Sequence, residues 1–538
     1  MQGLTLPVAA QTEYAEQFHQ LQLLLQGRWR SVDQLDQGDC DILVVPSLSL
    51  DQRELRKIEG IHYYEERLLF SLIRLRNPHT RLIYVTSQPI HRSVIDYYLQ
   101  LLPGVPFSHA RDRLLLLCTY DSSCRALTEK ILERPRLMAR MARALRPEQA
   151  FMTCFNATPL ERELSVKLGI PLLAADPDLL YWGTKSGSRE LFAATEVPHP
   201  DGSPLMYNET DLAIAAAELW ERNPSLKRIV VKLNEGFSGE GNALLDLRPL
   251  QAVAPGQASH SARAEVIRDR FPQLSFQCDT ETWANFGSRV PEMGAIVEAF
   301  IEGEVKRSPS VQGAITPGSK VQILSTHDQI LGGPDGQIFL GCRFPADEVY
   351  RLQLQEYGLR IGQALAEKGA LERFSVDFVA VHQPDHPTEP WDLQAIEINL
   401  RKGGTTHPFM SLKLLTQGTY DYTTGLFYNQ QGTPKYYIAT DNLQNPNYRG
   451  LIPSDLMDII VEHDLQFKST TETGSVFHLI GCLSEFGKVG LTSIGNSPEE
   501  AEAIYQNVID ALNQETQLTP AMIPRAPSMG FPSTWNGR

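Results

Sequence analysis

The chain has no run approaching the roughly eighteen consecutive apolar residues that a membrane helix needs, so no membrane partner is expected. Its first residues, MQGLTLPVAAQTEYAEQF, lack the basic-then-apolar order of a secretory leader, and a cytoplasmic location is the expectation. Cysteine is sparse: seven residues with no Cys-x-x-Cys pair give neither a disulfide framework nor a zinc site. Cys118 and Cys124 are close in sequence but fit buried thiols of an α/β core better than metal ligands. Positive charge is also in deficit. With 49 Lys and Arg against 64 Asp and Glu, the formal charge is −15, which argues against a nucleic-acid partner.

What is present is an ordinary globular composition, 42% hydrophobic and 21% charged, in 538 residues, more than one core usually holds. Residues 1–180 alternate apolar runs with helical ones. DILVVPSLSL, RLIYVTSQPI, RLLLLCTYD and FMTCFN read as buried parallel strands, and LRKIEGIHYYEERLLFSLIRL and CRALTEKILERPRLMARMARAL as crossover helices. Thr158, Pro159 and Glu161 have the order of a capping box at a helix start. His91 follows a strand end, yet fits a surface histidine better than a ligand.

The densest chemistry lies in QAIEINLRKGGTTHP, residues 394–408. Ile396, Ile398 and Leu400 alternate with Glu397, Asn399 and Arg401, so a strand of period two sends the polar set to one face. Upstream, RFSVDFVAV opposes Asp377 to Phe374, Val376 and Phe378, and a polar turn leads back, which would bring Asp377 beside Glu397. Carboxylate and amide oxygens together suit Mg²⁺, which typically takes one or two carboxylates and leaves its other positions to phosphate and water. Taken alone, the pattern fits an amphipathic hairpin with a wet outer face equally well.

KRIVVKLNEGFSGEGNALL adds a strand ending in Lys232 and a loop with Gly236, Gly239 and Gly241. Glycines let a backbone approach phosphates, and the lysine supplies countercharge. The spacing is neither that of a P-loop nor that of a Rossmann dinucleotide site. A mobile hairpin tip would look similar.

Glu-x-Asn-x-Arg before a glycine turn and His-Pro, with an Asp on the preceding strand, resembles the C-terminal motif of the ATP-grasp superfamily of carboxylate-activating ligases. The resemblance covers residues of about 180 to 420. It implies that Asp377, Glu397 and Asn399 hold two Mg²⁺ ions, with Mn²⁺ as an alternative, and that Arg401 lies by the activated carboxyl group. ATP would be held by Lys185 at a helix start, by Lys232, and by Gly236, Ser238, Gly239 and Gly241 of the loop. In AIVEAFIEGEV, Glu298 would accept from adenine, Ile301 would bond the ring through its backbone, and Glu304 would take the ribose. Arg343, Gly403, Gly404 and His407 are candidates for the substrate side.

An α/β domain over 1–180, an ATP-grasp domain over 181–430, a small α/β domain over 431–516 and a tail over 517–538 resemble the order of the pheganomycin-type peptide ligases. QAVAPGQASHSARAE reads as a solvated insertion. The expected activity is ATP-dependent joining of a small carboxylate to an amine or peptide through an acyl phosphate, with the oligomeric state open. The rivals are a kinase, a non-catalytic nucleotide-binding regulator, and a biotin-dependent type of carboxylase, for which the chain has no Met-Lys-Met carrier site.

Overall fold

Four apolar runs form the first sheet: β1 (Asp41–Val45), β2 (Arg81–Thr86), β3 (Leu114–Cys118) and β4 (Ala150–Cys154), all parallel, in the order β3-β2-β1-β4. The computed structural model describes residues 8–28, 38–50, 55–56, 58–236, 241–276, 281–332, 338–382 and 390–517. β1 is buried along its whole length, as a strand covered on both faces must be. The helix Pro159–Leu168 starts at the expected box: the Thr158 side chain accepts from the Leu160 N–H, and Glu161 accepts from the Thr158 N–H at 2.8 Å.

Two expected crossover helices differ. The first is a 3₁₀ run, Ile61–Arg76, that begins after Gly60 in the left-handed region at φ 66°, where an added Cβ would meet Cys482 Sγ at 2.7 Å. The second is broken into Leu127–Leu132 and Pro135–Ala144, because Pro135 has no N–H to continue a helix and instead opens a new one.

The second sheet is antiparallel, with β5 (Arg228–Leu233), β6 (Asn242–Asp246), β7 (Ser275–Phe276) and β8 (Ala295–Ala299) in the order β7-β6-β5-β8. The expected solvated insertion is here a packed element. Ser259 caps the helix His260–Arg270, Ala264 and Ile267 enter the core beneath the sheet, and Arg263 is buried with its guanidinium donating to the Val253 and Ala258 carbonyls. Ala264 shares that core with Ala213, Ala216 and Ala217 of the helix Glu209–Arg222.

Among the described residues the third sheet has eleven strands: β9 (Val305–Arg307), β10 (Pro309–Ile315), β11 (Val321–Gly332), β12 (Ile338–Phe344), β13 (Glu372–His382), β14 (Asp392–Asn399), β15 (Thr419–Asp421), β16 (Leu426–Tyr428), β17 (Pro434–Gln444), β18 (Gly474–His478) and β19 (Lys488–Gly495). β10 to β14 make the β14-β13-β10-β11-β12 part of the order, and β17 pairs with β12. Strands on either side of residue 430 thus share one sheet. The helix Arg351–Glu367 lies on β10 and β11, where Gly358 and Gly362 let it approach closer than any Cβ would permit. At the far end Ser497 caps the helix Pro498–Thr516 against β19.

Candidate active site

A cavity of about 1120 Å³ is lined by residues of β5 and β8, of β13 and β14, and of the 3₁₀ run and the start of β19. On β13 and β14 the register sets Asp377 opposite Glu397 and Ser375 opposite Asn399, with a bulge immediately after Asp377. Because side chains alternate along a strand, all four share the cavity face.

Asp377 is half-buried and accepts from Gln329 Nε2 at 2.7 Å and from Asn399 Nδ2 at 3.1 Å. Burial and the neighbouring Glu397 push its acid up to about 7, against the opposing pull of Arg401 and Lys185. Glu397 Oε1 stands 2.6 Å from Lys185 Nζ. Lys185 is the first residue of the helix Lys185–Ala194, whose Thr184 cap accepts from the Gly187 N–H at 3.1 Å. Asn234, just beyond β5, ties that helix start down: its carbonyl accepts from the Lys185 N–H and its Oδ1 from the Ser186 N–H, both at 3.0 Å.

Arg401 lines the same wall and donates to the Lys402 carbonyl at 3.1 Å. Burial lowers its pKa, while Glu397 and Asp377 favour its charge. Two nearly opposed carboxylates and an amide oxygen, with Asp377 reluctant to ionise beside Glu397, form a donor set whose chemistry fits a magnesium ion.

Across the cavity, β5 and β8 set Val230 opposite Glu298 and Lys232 opposite Ile296, so Lys232 and Glu298 are diagonal neighbours on one face. Their side chains form an ion pair, and Arg189 holds the other Glu298 oxygen at 2.9 Å. Burial works against a charge on Glu298, but the two cations prevail and its pKa is lowered. Each oxygen takes one cation, so the side chain fixes Lys232, and Glu298 also lines the cavity. Ile301 lines the cavity.

The remaining expected residues divide. Gly403 and Gly404 line the cavity. Arg343 also does, though half-exposed and paired with Glu502 at 3.0 Å. Glu304 lies off the cavity wall. Gly236 and Gly241 close the neck of the loop, where the Leu233 N–H donates to the Gly241 carbonyl at 2.9 Å, while Ser238 and Gly239 lie outside the described residues.

His407 is corrected from a lining residue to a buried one, 5% exposed, with its Nε2 3.1 Å from Asp441 Oδ1. The same oxygen is 2.6 Å from His478 Nε2, and the other is paired with Arg67. Burial and the adjacent His478 push His407 down to about 4. Burial disfavours charge on Asp441, yet Arg67 and His407 hold its carboxyl well below the usual range. His407, Asp441 and His478 offer three ligand atoms within 4.8 Å of one another, but Arg67 already supplies the countercharge there.

Sequence reading missed Arg189, Arg67, Gln329, Asp441 and Lys488. Each sits in an ordinary helix or strand with no local pattern, and only the tertiary fold brings it to the site.

The family model described as IQCH-like, ATP-grasp matches residues 179–275 and 268–423, and that of the PGM1 C-terminal domain matches 455–508. The chain is 31% identical over 485 residues to the L-propargylglycine--L-glutamate ligase of Streptantibioticus cattleyicolor, spanning 89% of this chain and 94% of that protein. To IQ motif-containing protein H of Danio rerio it is 24% identical over 453 residues, 77% of this chain and 42% of that protein. In fold it is similar to a biotin carboxylase of Campylobacter jejuni complexed with β-γ-ATP, at a TM-score of 0.52 and 13% identity, covering 90% of this chain and 96% of the other. The biotin carboxylase domain of the Hydrogenobacter thermophilus 2-oxoglutarate carboxylase gives the same TM-score and identity, with coverage of 87% and 89%. With Asp377, Glu397, Asn399 and Lys232 lining one cavity, Lys185 paired with Glu397, and a ligase relative matched along nearly its whole length, the chain belongs to the ATP-grasp family of carboxylate–amine ligases.

Proposed function

We propose that this ligase forms an amide between two amino acids, or between an amino acid and a peptide, through an acyl phosphate. The observation that carries the reading is the convergence of Asp377, Glu397, Asn399 and Arg401 on one cavity wall, with Lys185 already on Glu397. The relative whose name specifies L-propargylglycine and L-glutamate makes amino acids the substrates of first choice.

The substrate carboxylate attacks the γ-phosphorus of ATP and ADP leaves. An amine then attacks the acyl carbon, expels phosphate and gives up a proton. Asp377, Glu397 and Asn399 would hold magnesium, which when bound would supply charge neutralisation at the phosphate oxygens. Lys232, kept extended by Glu298, and Lys185 add fixed positive charge toward the phosphates, so little reorganisation is needed when charge shifts. Arg401 meets the developing charge on the acyl side. Water has to be kept from the acyl phosphate, which would otherwise hydrolyse.

The test is a pairwise panel of amino acids and short peptides, scored for ADP release and then by mass for coupling with loss of one water. ADP release that needs a carboxylate, together with a coupled product, supports the reading. Release without any coupled mass across the panel counts against it.

A further inference from the structure

Where Tyr64 lines the cavity, two cations share its side chain. Lys488 opens β19, is 6% exposed, and donates from Nζ to the Tyr64 hydroxyl at 2.7 Å, with Nζ 5.0 Å from the ring centroid. Arg67, 7% exposed, lies with Cζ 4.1 Å over the same ring. All three line the cavity.

The charge there does not balance. Arg67 is matched by Asp441, which His478 also engages, and the Arg67 Nε–H is buried without an acceptor. Among the described residues no carboxylate pairs with Lys488, and Glu59 on the same wall is exposed and does not reach it. A buried ammonium whose one hydrogen bond goes to a neutral hydroxyl leaves two donors unused, a costly arrangement unless an anion arrives. Arg401 is within electrostatic range of Glu397 and Asp377 and also of Arg67, which joins this part of the cavity to the metal-side carboxylates. Lys185 and Lys232, in contrast, already hold carboxylates on the other walls.

We infer that this part of the cavity binds the non-reacting carboxylate of an amino-acid substrate, with Lys488 as its ion-pair partner and the Arg67 Nε–H as a second donor. The inference rests on the ligase reading and narrows its substrates to those that keep a free carboxylate through the coupling. The subsite is built across the chain, with Tyr64 and Arg67 from the first α/β unit and Lys488 from the last strand, so neither segment alone would recognise the substrate. An acid would be preferred over its amide because the amide cannot pair with a buried ammonium.

The test is calorimetric titration of the full chain, with and without a non-hydrolysable ATP analogue and Mg²⁺, using L-glutamate against L-glutamine and L-alanine against L-alaninamide. Lys488→Met keeps the stem volume and leaves Asp441 paired, so it spares the fold where Arg67→Met would strand a buried carboxylate. The wild type should bind at least one acid about 10-fold or more tightly than its amide. Lys488→Met should erase that difference, Lys488→Arg should retain most of it, and affinity for the ATP analogue should stay within about twofold. Acid-blind binding, no binding of any acid, or unchanged selectivity in Lys488→Met overturns the inference. So does an equal loss of ATP-analogue affinity in Lys488→Met, which would assign the cation to nucleotide phosphates. Acid-selective binding without coupling in the turnover panel would defeat the ligase reading and leave the subsite standing, whereas coupling with acid-blind binding would do the reverse.

Discussion

Lys185 Nζ meets Glu397 Oε1 at 2.6 Å, joining the first residue of a helix to the end strand β14 of the large sheet. The Ile398 N–H donates to Ser188 Oγ at 3.0 Å beside it, so the same helix covers the strand's open edge and holds its lysine over the carboxylate. Glu397→Gln should therefore preserve the fold, since the amide oxygen still accepts from Lys185. Loss of the anionic oxygen should lower ADP release by roughly 10²-fold or more, the scale of removing one charge-stabilising group. Far-UV circular dichroism and steady-state kinetics test both halves. Near-normal turnover at moderate Mg²⁺ would remove Glu397 from the metal site.

The Arg189–Glu298–Lys232 chain yields a graded expectation. Lys232→Met should raise the KM for ATP more than Arg189→Met does, because the arginine acts only by holding the carboxylate that holds the lysine. A several-fold rise for Arg189→Met and about 10-fold or more for Lys232→Met are the expected values. If neither substitution moves the KM for ATP, this wall does not bind nucleotide.

How much of this was readable from sequence depends on range. The alternation in residues 373–381 and 394–401 is local, so the Asp377–Glu397 register followed from it, and the four apolar runs of the first sheet followed in the same way. Arg189 lies mid-helix and Lys488 at a strand start, with nothing local to distinguish them from solvated cations. Their meaning comes from partners such as Glu298 and Tyr64, far away in the chain. His407 stood next to the motif and was drawn into the cavity by proximity. Asp441 and His478, which bury it, are on strands with no sequence signal pointing back. The 3₁₀ run had the apolar content of an α-helix, and apolar content does not separate i+3 from i+4 bonding.

Gly187 carries no motif, yet an added Cβ would stand 2.0 Å from the Tyr181 carbonyl, a backbone atom that cannot yield easily. Gly187→Ala should push the helix start away and take Lys185 off Glu397. Thermal unfolding should show a loss of roughly 1–3 kcal/mol, the usual cost of overpacking, with turnover falling further than stability explains. A variant as stable and active as the parent would mean that the helix start tolerates displacement.

Glu65 gives a pH dependence that does not involve the metal-side residues. Burial pushes its acid up from the ordinary 4.5 to about 7, against the hydrogen bonds it accepts from Ser87. Below about pH 4.5 both folded and unfolded chains carry the proton. As pH rises toward 7 the unfolded chain releases it first, so the contribution to stability falls through that window and levels off above it. Glu65→Gln removes the titration. The variant's unfolding free energy should gain on the wild type between pH 5 and 8 by roughly 1–3 kcal/mol, and a difference independent of pH would show that Glu65 does not titrate in this range.

Arg401 separates a ligase from a kinase, since the metal-side residues serve either reaction. Its guanidinium lies half-buried on the wall that holds Glu397 and Asn399, within electrostatic range of both metal-side carboxylates. A kinase needs positive charge only while the phosphoryl group moves. A ligase must also hold an acyl phosphate until an amine arrives, and a fixed guanidinium suits that longer task. Arg401→Ala should slow coupling by about 10²- to 10³-fold, the loss typical of removing one donor to developing charge. Its ADP release should become uncoupled from product as the acyl phosphate meets water. In the wild type, hydroxylamine should capture the intermediate as a hydroxamate whenever a carboxylate substrate and ATP are present without an amine. A stable phosphorylated product, with no hydroxamate from any carboxylate, would make the enzyme a kinase.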